Sequence, residues 1–461
     1  MLIPLVLCAL AAPPALSTTA GAEKVRDRAL SGGSVAVEVL QSLTSEIGGR
    51  PVGSPAMTRA KDWAVKKLTA LGFQNVHVED FTKKDAWLRG PEAASMTAPY
   101  GLPLSFIGLG KSAPTPPGGI EADVAVFRSL EELKAAAPGS LAGRIALVNQ
   151  PMTRTQSGEG YGSAVAVRGA GPSLAAARGA VAFLTRSIAT GPGRAPHTGA
   201  THYDDDVPRI PAAALGVADA DLVMRLAAQG PVRVSLSMSS TLIENAPAWN
   251  VVGEVPCRAN PKAGTIVIGG HLDSWDPGQG AVDDGAGVAI TIAAAKLLAE
   301  GPPLKRNVRV VLFGSEETGG SGEAYALAHA AEVPQLVLAA ESDSGAGPLY
   351  RLALPKGVAA DPALFGLATA LAPLRIFITD DVAEHGGSDM EGLMDAGVPI
   401  VEFDADASRY FDIHHSADDT FDKVERADLE QSVAGWAVLL SFLANSALDL
   451  RPHVDAVASK P

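Results

Sequence analysis

The stretch GGHLDSWDPGQGAVDDGAG, residues 269–287, decides how the chain is read. It sets one histidine and four aspartates among glycines, directly after the apolar run TIVI (265–268), which has the length of a short buried strand. Beyond it, DDGAGVAITIAAAKLLAE (283–300) predicts a helix of about four turns. The unit then repeats. VRVVLFG (308–314) reads as a strand, GGSGEAYALAHAA (319–331) as a helix and QLVLAAES (335–342) as a strand. Strands alternating with helices predict an α/β fold with a mostly parallel sheet sandwiched by helices. In such sheets ligands bind at the carboxyl ends of the strands.

That placement gives the charges a meaning. His271 and Asp273 follow the first strand, Glu316 and Glu317 of SEETGG follow the second, and Asp343 of ESDSG follows the third. His414 and His415, in IHHSADDT, follow the apolar GVPIVEF (397–403). So many acids at one sheet edge repel one another by several kcal/mol (~) unless cations lie among them. Imidazoles and carboxylates without thiolates suit zinc best, and cobalt or manganese less well. The Asp283/Asp284 pair offers a carboxylate able to bridge two metals. Ions roughly 3.5–4 Å apart can activate one water between them. Of the adjacent Glu316 and Glu317, one can coordinate while the other takes the proton of that water.

Bulk properties exclude other classes. The chain has 461 residues, 47% hydrophobic and 19% charged, which marks a globular protein with two or three domains. A formal net charge of −14 argues against nucleic acid and against an anionic membrane as partners. Its two cysteines, Cys8 and Cys257, exclude a disulfide framework and a thiolate zinc site. Cys257 reads as an inert thiol. The N-terminus MLIPLVLCALAAPPALSTTAGA carries an apolar run too short to span a bilayer, then the small-residue pattern Ala20-Gly21-Ala22. It reads as an export signal over 1–22, although it has no Lys or Arg at its start, and it predicts a periplasmic or extracellular protein without stable membrane insertion. Residues 34–47 and 56–72 have the spacing of amphipathic helices, and NVHVEDF (75–81) reads as a strand. From about 100 the texture changes to short Val/Ile runs among Gly and Pro, which predicts a small β-rich insert with a few helices, loop-rich over 151–210. The resulting division is 23–99 for an N-terminal helical part, 100–242 for the insert and 243–455 for the catalytic domain.

GGHLDSWDPGQGAVDDGAG, SEETGG, ESDSGAG and FDIHHSADDT closely resemble the dizinc aminopeptidase family. So do GGRPVGSP (48–55), WLRGPEAAS (87–95), SAPTPPGGI (112–120), HTGATHYDDDVPRIPAAA (197–214) and WNVVGEV (249–255), in the same order along the chain. The resemblance implies a phosphorylase/hydrolase-like catalytic fold and two zinc ions per chain. His271, Asp283, Glu317, Asp343 and His415 match its ligand positions. Asp283 would bridge, His271 and Asp343 would complete one zinc site, and Glu317 and His415 the other. Glu316 would be the general base and Asp273 would orient the His271 imidazole. The family also places an unusual peptide bond after this Asp. Asp284 suits the acid wanted at a helix N-terminus, and His415 rather than His414 has the family's spacing to Asp419-Thr420. The insert resembles a protease-associated domain, whose usual role is to cover the cleft or restrict substrate size. The implied activity is an aminopeptidase or dipeptidase acting on dipeptides or short peptides, with a homodimer usual among such proteins.

Other residues carry weaker readings. Trp275 is a pocket wall or ordinary packing, and Tyr410 of ASRYF is an oxyanion candidate. His202 with Asp204, Asp205 and Asp206 looks metal-like but reads better as an exposed turn. HGGSD (385–389) departs from the family's wording and takes no role. Two other classes use such a scaffold: a catalytically inactive receptor, and a single-zinc acyl-transferring enzyme. The intact Glu316 argues against the first, and the full ligand set argues against both.

Overall fold

The computed structural model describes residues 14–379 and 386–451. Most of the export signal, Cys8 and His385 of HGGSD therefore lie outside the described residues. Helices α1 (Pro14–Arg28), α2 (Ala36–Glu46) and α3 (Pro55–Ala70) open the chain. Helix α3 starts where local chemistry says it should. Pro55 occupies its first turn, and the Ser54 hydroxyl accepts from the Met57 amide at 3.1 Å. Ala20-Gly21-Ala22, the proposed cleavage point, lies inside α1, and Ala22 is buried in the same core as the last helix of the chain.

Strand β1 (Gln74–Ala98) leaves this region and runs far beyond the short strand predicted from NVHVEDF. The insert follows, with β2 (Leu102–Pro103), β3 (Phe106–Gly108), β4 (Ile120–Phe127), α4 (Leu130–Ala135) and β5 (Ile145–Val148). It continues through α5 (Gly160–Ala176), β6 (Ala182–Arg186), β7 (Ala212–Leu215) and α6 (Val217–Ala227). Strands β4, β5, β6 and β7 lie parallel and side by side. The helices expected in the β-rich insert are α4, α5 and α6, but the loop-rich reading of 151–210 is corrected, since α5 fills 17 residues of it. The sequence hides α5 because Gly160, Gly162, Gly169, Gly171 and Pro172 are poor helix formers. Tertiary packing forms it instead. Val167 and Ala175 are buried, and Gly171 lets the Phe183 ring lie directly on the helix backbone.

The chain returns along β8 (Arg233–Val255), antiparallel to β1 over nearly its whole length. This ribbon joins insert and catalytic part into one 11-stranded sheet. Strands β9 (Thr265–His271), β10 (Asn307–Phe313) and β11 (Leu336–Glu341) are parallel, in the order β11-β9-β10-β8, with β8 antiparallel to β10. Helix α7 (Ala286–Ala299) follows β9, and α8 (Ser321–Ala328) follows β10. A second, three-stranded sheet holds β12 (Leu349–Ala353), β13 (Phe377–Thr379) and β14 (Glu402–Ala405). Helices α9 (Phe365–Leu371), α10 (Glu391–Asp395) and α11 (Arg426–Asn445) complete the fold.

The core explains the layering. Helix α7 is apolar on all sides, so it must be covered on all sides. It lies between the catalytic sheet and a layer containing α2 and α11, sharing one core with Ile266, Ile268, Val308 and Val310. On the opposite face, Val267, Val311 and Phe313 pack against Tyr325 of α8 and Leu393 of α10. Among the described residues no helix is long and apolar enough to cross a membrane.

Two glycines test this account. A Cβ on Gly287 would collide with the Ser342 carbonyl oxygen and the Asp284 carboxylate, so the bare residue lets the start of α7 press against the end of β11. A Cβ on Gly169, inside α5, would meet nothing within 4 Å. Urea or thermal unfolding should show Gly287→Ala losing about 3 kcal/mol or more, while Gly169→Ala gains about 0.5–1 kcal/mol.

Candidate metal centre

The three parallel strands deliver their polar residues to one place. His271 is the last residue of β9, and its Nε2 lies 3.0 Å from Asp283 Oδ1, 3.6 Å from Asp343 Oδ1 and 3.9 Å from Glu316 Oε2. His415 Nε2 lies 2.9 Å from Asp283 Oδ2 and 3.1 Å from Glu317 Oε2. His414 stacks on His415 with ring centroids 3.6 Å apart and reaches Asp283 Oδ2 at 3.4 Å, with no Glu317 contact. Three overlapping groups of donors lie within 4.8 Å of one another: His271 with Asp283 and Glu317, His271 with Asp284 and Asp343, and Asp283 with both His414 and His415.

Neighbouring groups separate the two adjacent aspartates. Asp284 accepts from the His271 amide (2.9 Å) and the Gly287 amide (3.0 Å), so both its oxygens are engaged at the start of α7. Asp283 Oδ2 is buried and receives no hydrogen bond, although two imidazole nitrogens face it. A carboxylate oxygen with no donor, ringed by imidazoles and further acids, is what a divalent cation would occupy. Asp283 is not helical (φ −133°, ψ 93°), so the helix predicted from residue 283 begins at Ala286. The unusual peptide bond expected after Asp273 lies elsewhere. The non-proline cis bond joins Asp283 to Asp284.

Asp273 sits beside His271 as expected, but the ring meets its main chain first. His271 Nδ1 is 3.0 Å from the Asp273 carbonyl and 3.6 Å from its carboxylate. The carboxylate accepts from the Glu316 amide at 3.0 Å and so also anchors the next loop. Glu317 Oε1 accepts from the Trp275 amide at 3.1 Å.

Two residues given no role by the sequence hold the loop in shape. Arg50 is fully buried, and its guanidinium donates to the carbonyls of Leu272, Gln279 and Gly280. Asp419 Oδ1 accepts from the amides of Ala281 (2.8 Å) and Val282 (2.7 Å). GGRPVGSP and HHSADDT contained both residues, but their partners are main-chain atoms, which leave no mark in side-chain chemistry. Behind the site, Ser321 donates to Asp389 at 2.6 Å, and the Asp389 amide donates to buried Glu341 at 3.1 Å. Asp389 belongs to HGGSD, which had taken no role. Burial pushes its carboxyl up to about 7.

The electrostatics divide the acids. Burial pushes the Glu316 carboxyl well above the usual range, with Asp343 and Glu317 adding to it and His271 opposing. Burial likewise raises Asp284, Glu317 and Asp343. Burial also works against ionisation of Asp283, yet the imidazoles of His271 and His415 beside it hold its carboxyl well below that range. Both imidazoles are raised despite burial, His271 by Asp273, Asp283 and Asp343, and His415 by Glu317 and Asp283. The cluster as a whole demands positive charge.

The remaining candidates separate. Asp283, Glu316, Glu317, Asp343, His414 and His415 line a cavity of about 710 Å³, with Tyr410 and the insert's Tyr161 and Arg168 on its walls. Trp275 is buried packing, edge-on to Trp87 (6.5 Å) and His415 (6.0 Å). Asp204, Asp205 and Asp206 form an exposed turn, and no metal-like donor group includes them among the described residues.

A mixed α/β sheet whose strand ends gather imidazoles and carboxylates over a cleft is the layout of a metal-dependent hydrolase. Comparison with known proteins narrows that class. Residues 250–440 match peptidase family M28. The chain is 35% identical to carboxypeptidase Q of Mus musculus over 411 residues, covering 88% of this chain and 85% of the mouse protein. It is 38% identical to a peptidase M28 precursor from Shewanella amazonensis SB2B, whose crystal structure matches with a TM-score of 0.91 over 95% of this chain and 99% of that one. BSAP, a zinc aminopeptidase from Bacillus subtilis, shares the fold at a TM-score of 0.62 and 17% identity, over 88% and 93% of the two chains. The chain belongs to peptidase family M28 and is a metallopeptidase.

The two aspartates should part in a metal assay. After equilibrium dialysis against zinc, Asp283→Asn should retain little or no metal by elemental analysis. Asp284→Asn should keep its metal and instead lose about 1–3 kcal/mol of stability, because an amide cannot replace the carboxylate at two buried amide donors.

Proposed function

We propose that the protein is a zinc-dependent exopeptidase hydrolysing dipeptides or short peptides. One observation carries the reading. The two oxygens of Asp283 face opposite imidazoles, Oδ1 to His271 at 3.0 Å and Oδ2 to His415 at 2.9 Å, and each imidazole has a further carboxylate beside it. On this reading His271 and Asp343 hold one zinc, Glu317 and His415 hold the other, and Asp283 is shared between them. A bound zinc pair supplies polarisation of the peptide carbonyl and an attacking water acidic enough to react at neutral pH.

The chain's own groups do the rest. Glu316 lies 3.9 Å from His271 Nε2, and its amide is fixed by Asp273, so its carboxylate stands beside the imidazole that faces Asp283. It takes the proton of the attacking water and passes it to the leaving amine. Its raised proton affinity, caused first by burial, suits a group that must hold that proton and then release it. A substrate's free α-amino group is attracted by the surplus carboxylates, which favours cleavage at a chain end. Tyr410 lies against His414, ring centroids 4.8 Å apart, on the cavity wall where it can contact the substrate carbonyl. The insert, which resembles a protease-associated domain, closes one side with Tyr161 and Arg168, so the cleft suits short peptides. The N-terminal segment supports export to the periplasm or outside the cell.

A dipeptide panel tests this, read as free amino acids released. The native protein should cleave, a chelator should abolish turnover and added zinc should restore it. Glu316→Gln should lose about 10²–10⁴-fold in rate with its zinc content intact. Cleavage at the native rate by this variant, or by the exhaustively chelated enzyme, would end the proposal.

A further inference from the structure

His415 is held in left-handed backbone (φ +58°), an uncommon state for a residue with a side chain. What grips it comes from the insert. The Thr198 amide donates to the His415 carbonyl at 2.9 Å, and the Thr198 carbonyl faces His415 Nδ1 at 3.4 Å. One insert residue therefore touches both the main chain and the ring of His415. Thr198 is itself pinned on every side. Arg168 Nη1, from α5, donates to its carbonyl at 3.0 Å, and Arg89 Nη2, from β1, donates to its hydroxyl at 3.0 Å. That hydroxyl donates to the Gly108 carbonyl at 2.8 Å. Arg168 is buried, with 6% of its surface exposed, and its Nη2 donates to the Tyr161 hydroxyl at 3.0 Å.

His271 is held differently. Its Nδ1 faces the Asp273 carbonyl at 3.0 Å and its amide donates to Asp284 at 2.9 Å, both within the catalytic part. The two imidazoles thus take their orientation from different parts of the fold. At His415, Arg168 Nη1 lies 3.5 Å from Nδ1. With Nε2 turned to a metal, as the two-metal reading has it, Nδ1 carries the proton, and the Thr198 carbonyl is the acceptor for both Nδ1 and Arg168. A proton fixed on Nδ1 leaves the Nε2 lone pair aimed at Asp283 and Glu317, the tautomer a metal ligand needs.

We propose that Thr198, backed by Arg168, is a positioning element for His415, so that the metal position made with Glu317 depends on the insert and the one made with His271 and Asp343 does not. The proposal rests on the two-metal reading. Its test is zinc titration of the full-length, metal-stripped chain against a competing chromophoric chelator. The native protein should bind zinc in two steps. Arg168→Met should weaken one step by about 10–100-fold and leave the other unchanged. Arg168→Lys, which still donates to the Thr198 carbonyl, should recover most of the loss. Cobalt-loaded Arg168→Met should show altered visible absorption for one of its two ions. Metal-free melting temperatures close to the native value separate positioning from simple loss of fold. If Arg168→Met does not fold, Arg168→Lys and Arg168→Gln carry the same comparison. Two unchanged steps, or two steps weakened together, overturn the proposal while leaving the two-metal reading intact. A native chain that takes fewer than two zinc ions overturns that reading, and the proposal with it.

Discussion

Like charges brought out of water must find compensation, and this site is arranged around that requirement. Two carboxylates about 4 Å apart repel by about 4 kcal/mol at an effective dielectric constant of about 20. Asp273, Asp283 and Asp284 are buried at the edge of the catalytic sheet, and Glu316, Glu317 and Asp343 stand beside them. Three of these acids are answered by main-chain amides. Asp284 takes two amide donors at the start of α7, Asp273 takes the Glu316 amide and Glu317 takes the Trp275 amide. Asp283 has one oxygen left to imidazoles alone. The backbone reaches the acids that shape the loops and leaves an Asp283 oxygen open between two imidazoles, where it can meet a cation.

The same requirement explains which parts of the site were legible in the sequence. His271, Glu316, Glu317 and Asp343 could be located because each follows a short apolar strand, and parallel strands end together. The choice between Asp283 and Asp284 follows the same logic, since an acid at a helix start has helix amides to accept. Arg50 could not be read this way. It stands 222 residues from Leu272 and 230 from Gly280, and it binds their carbonyls, which every residue possesses. HGGSD departs from the family's wording, and the partners of its Asp389, Ser321 and the Glu341 carboxylate, come from distant strands and helices.

For the fold, legibility tracked local propensity. The catalytic strands and α7 are dense in Val, Ile, Leu and Ala, and local preference agrees there with the final structure. Helix α5 sets the two in opposition, because its glycines disfavour a helix that Phe183 requires close at hand. Strand β1 continues past NVHVEDF through the polar Thr82, Lys83, Lys84 and Asp85 and past Gly90-Pro91, a pair that disfavours a strand. The structure absorbs the pair in a register shift between Arg89 and Glu92, and the strand continues beyond it.

These contacts also fix how the insert relates to the cleft. A hinge needs few atoms crossing it, yet the ribbon of β1 and β8 runs unbroken from one part to the other. Trp275, from the loop after β9, packs so tightly on Gly110 of the insert that a Cβ there would overlap its ring. Arg89 on the ribbon pairs with Asp276 of that loop at 2.8 Å while also holding Thr198. Swinging the insert away would expose Trp275, break the Arg89 pair and release His415 from its left-handed state together. A wall tied to the catalytic part by so many contacts resists opening, because each must break at once.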